Sequence, residues 1–173
     1  SAGGDLGLIS AMVDDLDLRA AIMEESRVLV SAMTSVRAPI IAAVNGPAVG
    51  LGCSLAGMCD LVVMEEHAYF ADPHVSIGLV AADGGALTWP LLTGLLRAKE
   101  SLLLGDRIPA AEAERLGLAN RVVPSGTSVE VAMGLAQRMA ALPQQSLRET
   151  KALLQHLVHQ LVGDILTTAV EVE

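Results

Sequence analysis

Apolar residues recur at Leu16, Ala20, Met23, Val30 and Met33, close to one turn apart, and predict an amphipathic helix over residues 16–36. Pro39 closes that approach, because the residue before a proline is pushed out of the helical region. The short apolar run Ile40 to Val44, ended by Asn45-Gly46-Pro47, predicts a buried strand and a turn. Leu61 to Met64 and Ala68 to Phe70 predict a second and a third strand, and the small residues Cys53 to Met58 a helix before them. Asp72-Pro73-His74 reads as a turn. Past Gly85 the pattern is helical over residues 87–104, 110–116, 129–142 and 147–172, with one strand-like stretch at 119–123. Thr127 or Ser128 stands where a helix cap is needed. Short buried strands alternating with helices, then a helical tail, predict an α/β fold.

Composition narrows the function. At 173 residues there is room for one ordinary domain. Eleven Lys and Arg against 20 Asp and Glu give a net charge of −9, which repels a phosphate backbone, so no nucleic-acid partner is expected. With one Trp, one Tyr and one Phe there is no platform for stacking bases either. Apolar residues make up 52% and charged ones 18%, a balance that predicts surface hidden in an oligomer. Cys53 and Cys59 form neither a disulfide framework nor a metal-ligand spacing; they read as buried thiols in a reducing compartment, and no metal is expected. No apolar run reaches the ~18 residues of a membrane span. These features predict a cytoplasmic protein without a membrane partner. The opening Ser1-Ala2-Gly3-Gly4-Asp5 is a glycine-rich turn with no strand before it, which predicts a start inside a longer protein.

Three glycine-bearing turns are candidate sites: Ala2-Gly3-Gly4-Asp5, Asn45 to Gly52, and Asp83-Gly84-Gly85, the last two leading into predicted helices. Glycine lets a ligand approach the main chain, and a helix start offers free N–H groups to an oxyanion. No GxxxxGK[ST], no GxGxxG with its following acidic residue and no GxSxG is present, so a P-loop, a Rossmann site and a hydrolase elbow are not supported.

Several stretches in order resemble the enoyl-CoA hydratase/isomerase (crotonase) superfamily: Ser1 to Asp5, Pro39 to Gly46 running into Gly50-Leu51-Gly52-Cys53, then Cys59-Asp60-Leu61-Val62. Gly105 to Ile108, Ala110 to Ala113 and Gly117 to Pro124 extend the likeness over nearly the whole chain. The resemblance implies a crotonase-like spiral of ββα units over residues 1–123 and a helical trimerisation region over 124–173. Further strands before Ser1 and a helical stretch after Glu173 are expected from it. It also implies an acyl-CoA thioester substrate, no cofactor other than the coenzyme A of that substrate, and a homotrimer or dimer of trimers.

The family's shared chemistry places the thioester oxygen between two backbone N–H groups, which by position are those of Gly4 and Leu51. Leu51 stands where glycine is usual, but any residue except proline supplies an N–H. Ala2, Gly4, Asp5, Leu6, Gly7 and Leu51 are the expected substrate and CoA contacts. The two glutamates of the hydratases are absent: Ser54 and His74 occupy their positions. A serine cannot serve as a carboxylate base, so the acid–base work falls to His74 and Asp83. Their nine-residue spacing is similar to that of the superfamily's β-diketone hydrolases, such as 6-oxocamphor hydrolase. Three functions remain open at this point: enoyl-CoA hydration as the default, retro-Claisen C–C hydrolysis of a β-diketone, and acyl-CoA binding without catalysis. Plainer roles stand beside these. Asp83 fits as a helix cap, His74 as a loop residue, Ser54 as small packing, and Trp89 as core or pocket wall. His67 reads as surface, and His156 and His159 as structural.

Overall fold

The computed structural model describes residues 1–172, without the side chains of Leu6 and of residues 162–172. Among the described residues six strands fall into two three-stranded sheets. One holds β1 (Ile41–Val44), β3 (Leu61–Glu65) and β6 (Arg121–Val123), all parallel. The other holds β2 (Ala48–Val49), β4 (Tyr69–Ala71) and β5 (Ile108–Pro109), with β2 and β4 parallel and β5 antiparallel to β4. The chain visits both sheets on each turn: β1 then β2 and helix α3 (Leu51–Gly57), followed by β3, β4 and helix α4 (Gly85–Thr93). Ile41 pairs with Leu61 and Ala48 with Phe70, so each turn adds one strand to each sheet. This is an α/β spiral of ββα turns, the architecture that the resemblance implies. Parallel strands must be covered on both faces. Accordingly Val62, Val63 and Met64 are buried, packed with Phe70, Trp89, Ala98 and Ala113 or, for Val63, against the helix α7 (Ser128–Ala140).

Two helices lead into the first sheet. Helix α2 (Leu16–Ser35) matches the predicted segment within a residue. Helix α1 (Leu6–Asp14) occupies a stretch to which the sequence pattern assigns no element. Asp5 starts it by accepting hydrogen bonds from the N–H groups of Gly7 (2.7 Å) and Leu8 (3.3 Å). The single helix expected over 87–104 is two, because Gly94 at φ +80° breaks it into α4 and α5 (Leu95–Leu104). Helix α6 (Ala110–Leu116) follows β5, and α8 (Gln144–Val172) closes the chain. β2 and β5, two residues each, carry no pattern that a sequence reading resolves.

Neither Thr127 nor Ser128 caps α7 with its own side chain. The buried Glu65 carboxylate at the end of β3 does that work, accepting from the Ser128 hydroxyl (2.7 Å) and N–H (3.3 Å). Bonds from the Gly126 N–H and the Ser128 hydroxyl hold the Glu65 carboxyl below the usual carboxylate range. Cys53 is buried as expected, while Cys59 is half-buried. Trp89 is core, at 1% exposure. His159 meets the carbonyl of Thr34 at 3.0 Å, a structural contact between α8 and the end of α2.

Lys151 anchors α8. Its ammonium donates to the Asp60 carboxylate (2.7 Å) and the Ala38 carbonyl (2.8 Å), while Asp60 also accepts from the Ile40 N–H (2.7 Å). Lys151 is 9% exposed, so removing it strands a partly covered carboxylate and a carbonyl. Lys151→Ala is therefore expected to lower stability by about 1–3 kcal/mol in urea unfolding, and Asp60→Asn, which keeps an acceptor for Ile40, by less.

Candidate active site

The two turns singled out for their glycines are tied to each other. The Val49 N–H donates to the Ser1 carbonyl (2.9 Å). Ala2, Gly3, Gly4 and Asp5 from the first turn and Val49, Gly50 and Leu51 from the second line one cavity of about 410 Å³. Its other walls come from α1 and α2 (Leu8, Ile9, Met12, Ile22, Met23, Ser26) and from the segment after β4 (Pro73, His74, Ile77, Leu79, Val80, Ala82, Asp83). Most of that lining is apolar and none of it is Lys or Arg.

Leu51 is the first residue of α3, whose opening N–H groups cannot be satisfied within the helix. The N–H groups of Cys53 and Ser54 turn back to the Gly50 carbonyl. Among the described residues no protein group accepts from the N–H of Gly4 or Leu51. Asp5 lines the cavity, although its carboxylate is engaged in capping α1. Gly7 lies in the first turn of α1 and is not among the lining residues. Leu6 opens the same helix, and its side chain lies outside the described residues.

His74 and Asp83, chosen from the sequence as a pair, are brought together: Nε2 of His74 lies 3.4 Å from Oδ2 of Asp83. Asp83 is not the cap of α4. Gly84 holds that place with no side-chain bond, and the Asp83 carboxylate instead accepts from the Ser54 hydroxyl at 2.7 Å. Ser54, fully buried, is thus more than small packing; it fixes one oxygen of Asp83 and leaves the other for His74. The ring of His74 also packs against the backbone at Gly50, where a Cβ would come within 3.6 Å of Cε1.

Sequence reasoning missed Asp72. Its carboxylate bonds Nδ1 of His74, so the ring is held on both nitrogens by carboxylates. The only signal available was an aspartate at a turn, which a turn alone explains. Burial works against a charge on His74, but the bonds and charges of Asp72 and Asp83 outweigh it and push the imidazole up to about 10. His74 is therefore an imidazolium at neutral pH. Burial, then the two nearby negative charges, push the Cys53 thiol up as well. It donates to the carbonyls of Gly50 (3.0 Å) and Ala71 (3.3 Å) and stays neutral, which removes it as a nucleophile. The ligand atoms of Asp72, His74 and Asp83 lie within 4.8 Å of one another. Because the carboxylates take opposite ring nitrogens, they do not face a common point with the same nitrogen, and the arrangement serves hydrogen bonding.

Comparison with known proteins bears on what these residues belong to. The enoyl-CoA hydratase/isomerase family model matches residues 1–173. The chain is 48% identical to a crystal structure of an enoyl-CoA hydratase/isomerase from Mycobacterium paratuberculosis, with a TM-score of 0.94 over 99% of this chain and 68% of that one. It is 47% identical over 116 residues to a putative enoyl-CoA hydratase of Thermus thermophilus, covering 67% of this chain and 46% of that protein. It is 34% identical over 154 residues to 2,3-dehydroadipyl-CoA hydratase of Escherichia coli, covering 89% of this chain and 59% of that protein. The chain belongs to the enoyl-CoA hydratase/isomerase family. It spans about half the length of the curated relatives it matches.

The Ser54 bond gives a direct test. Ser54→Ala frees the Asp83 oxygen it holds without adding charge, and is expected to lower the rate about 3–30-fold with little change in KM, read from steady-state kinetics. The second prediction concerns pH. A group whose value is raised from 6.5 to about 10 keeps its proton through the neutral range, so if His74 acts as an acid the alkaline limb of the kcat/KM profile lies near pH 10.

Proposed function

We propose that the full-length protein processes an acyl-CoA thioester through an enolate, by default adding water to a 2-enoyl-CoA. The observation that carries this reading is a single apolar cavity whose wall contains the unclaimed amides of Gly4 and Leu51 together with His74 and Asp83. The thioester oxygen sits between those two N–H groups, which stabilise it as it becomes negative; losing one such donor typically costs about 2.7–4 kcal/mol of transition-state energy. Ala2 and Asp5 line the approach, and the apolar side chains of α1 and α2 receive the acyl chain.

The His74–Asp83 pair takes the place of two glutamates. Asp83 accepts a proton from water as its oxygen bonds to C3, and His74 donates its Nε2 proton to C2 as the enolate collapses. The proton on Asp83 then crosses the 3.4 Å gap to Nε2 and restores the starting state. In this scheme the imidazolium is the acid and the carboxylate the base, an assignment that fits the raised His74.

A second reading has its own observation. No carboxylate stands at positions 54 and 74, while a His and an Asp are in contact, as the β-diketone hydrolase resemblance requires. In that case the pair drives retro-Claisen C–C cleavage and coenzyme A takes no part. A third, acyl-CoA binding without turnover, keeps the cavity and drops the chemistry.

Assembly and location belong to the proposal too. The leucines at 95, 96, 103 and 104 on α5 and at 153, 154 and 157 on α8 are 59–81% exposed, which supports a homotrimer or dimer of trimers built through the helical region. Among the described residues no helix is long and apolar enough to cross a membrane, in keeping with a cytoplasmic enzyme.

Crotonyl-CoA hydration by the full-length protein tests the main reading. His74→Ala and Asp83→Ala are each expected to lower kcat by about 10²–10⁴-fold. Turnover of a cyclic β-diketone without CoA establishes the second reading instead. Thermal stabilisation by CoA esters with no turnover of either substrate establishes the third.

A further inference from the structure

Asp72 sits one residue beyond β4 and has no exposed surface. Taking a carboxylate out of water is costly unless its oxygens are matched by donors or cations. Here the match is incomplete. Oδ1 is bonded to Nδ1 of His74 and lies 3.4 Å from the His74 main-chain N–H. Among the described residues Oδ2 has no hydrogen-bond partner. It rests in a slot that exists only because residue 85 is glycine; a Cβ there would lie 2.5 Å from that oxygen.

Such a group is poorly explained as a stabiliser. An apolar or amide side chain of the same size would avoid the cost of burying a charge. A turn-forming role accounts for the long contact to the main-chain N–H but not for the closer bond to the ring. Every feature of the position is instead explained by the ring. β4 and the Gly85 slot set the carboxylate, the carboxylate takes Nδ1, and Nε2 is left facing Asp83 and the cavity.

We propose that Asp72 is a positioning residue of this site: seated against Gly85, its buried carboxylate grips His74 by Nδ1 and thereby aims Nε2 at Asp83 and the bound substrate. This rests on reading His74 and Asp83 as the acid–base pair. The charged or titratable groups around the ring are Asp72 from the end of β4, Asp83 from the entry to α4 and, in the electrostatic reach of both, the Cys53 thiol of α3. The thiol stays neutral, so the ring's charge is governed by the two carboxylates. Asp83 acts on the nitrogen that works on substrate, whereas Asp72 acts on the one turned away from it.

Two variants and two readouts test this in the full-length protein. Asp72→Asn keeps an oxygen acceptor for Nδ1 but removes the charge. Gly85→Ala keeps the charge but fills the slot and pushes the carboxylate off its seat. Nitrogen NMR of the His74 ring is expected to show the titration midpoint falling by about one pH unit or more in both variants. Turnover is expected to fall about tenfold or more, with KM changed less than about threefold, and the alkaline limb of the rate profile to move down with the ring. A folded Asp72→Asn or Gly85→Ala protein whose His74 titrates as in the parent overturns the proposal, even if it is less stable, since a mere turn-former would behave that way. The two readings fail separately. If His74→Ala removes turnover while Asp72→Asn leaves ring and rate unchanged, the acid–base pair stands and Asp72 is dismissed. If Asp72→Asn moves the ring titration but His74→Ala does not affect turnover, the grip of Asp72 stands and the acid–base assignment falls.

Discussion

The hydrogen bond from the Gly50 N–H to the Ala71 carbonyl, 2.9 Å long, is the constraint on which the site depends. It extends the two-residue β2–β4 ladder at the point where both strands end. One residue past Gly50 the chain offers the Leu51 N–H; one residue past Ala71 it offers Asp72 and then His74. Segments more than 20 positions apart in sequence are thereby delivered to one cavity. Ser1 joins them by accepting from Val49, so the turn that carries Gly4 is fixed to the same strand. The backbone does the positioning, which is why Leu51 can stand where glycine is usual without removing the donor.

Two carboxylates around one imidazole set the electrostatics. Asp72, His74 and Asp83 are all largely withdrawn from solvent, with side-chain exposures of 0%, 14% and 11%. In such surroundings a single positive charge is favoured by both neighbours, and the proton it carries is held against the desolvation that opposes it. The apolar cavity wall offers the pair no competing cation of its own, since none of the lining residues is Lys or Arg. Ser54 completes the arrangement from behind. A family glutamate at that position would add a third carboxylate next to Asp83, so its replacement by a neutral hydroxyl and the presence of the His–Asp pair are parts of one electrostatic solution.

Much of this was legible in the sequence because it rests on local pattern. The β1 and β3 strands, α2 and the helical tail follow from runs and periods of apolar residues. His74 and Asp83 were found by family position, and the structure brings them into contact. The remainder depends on contacts that no local pattern encodes. Helix α1 carries no clear period of its own, and the feature that starts it is the Asp5 side chain reaching two N–H groups ahead. The cap of α7 comes from Glu65, 63 residues earlier, and displaced the nearby hydroxyls that the sequence offered. Asp72 was invisible for a similar reason: a turn aspartate and a buried ring anchor look the same until burial is known.

Glu65 has a consequence for the whole chain. Its carboxyl is held below the ordinary value of 4.5, so the stability it supplies is complete above that value and is lost as acid protonates it in the folded state. The bond that fails is the one joining the strand layer to the start of α7. Mild acid therefore leaves the seam between the spiral and its helical tail intact; only acidification below pH 4.5 loosens it, while the β1–β3 pairing, made of main-chain bonds, is untouched.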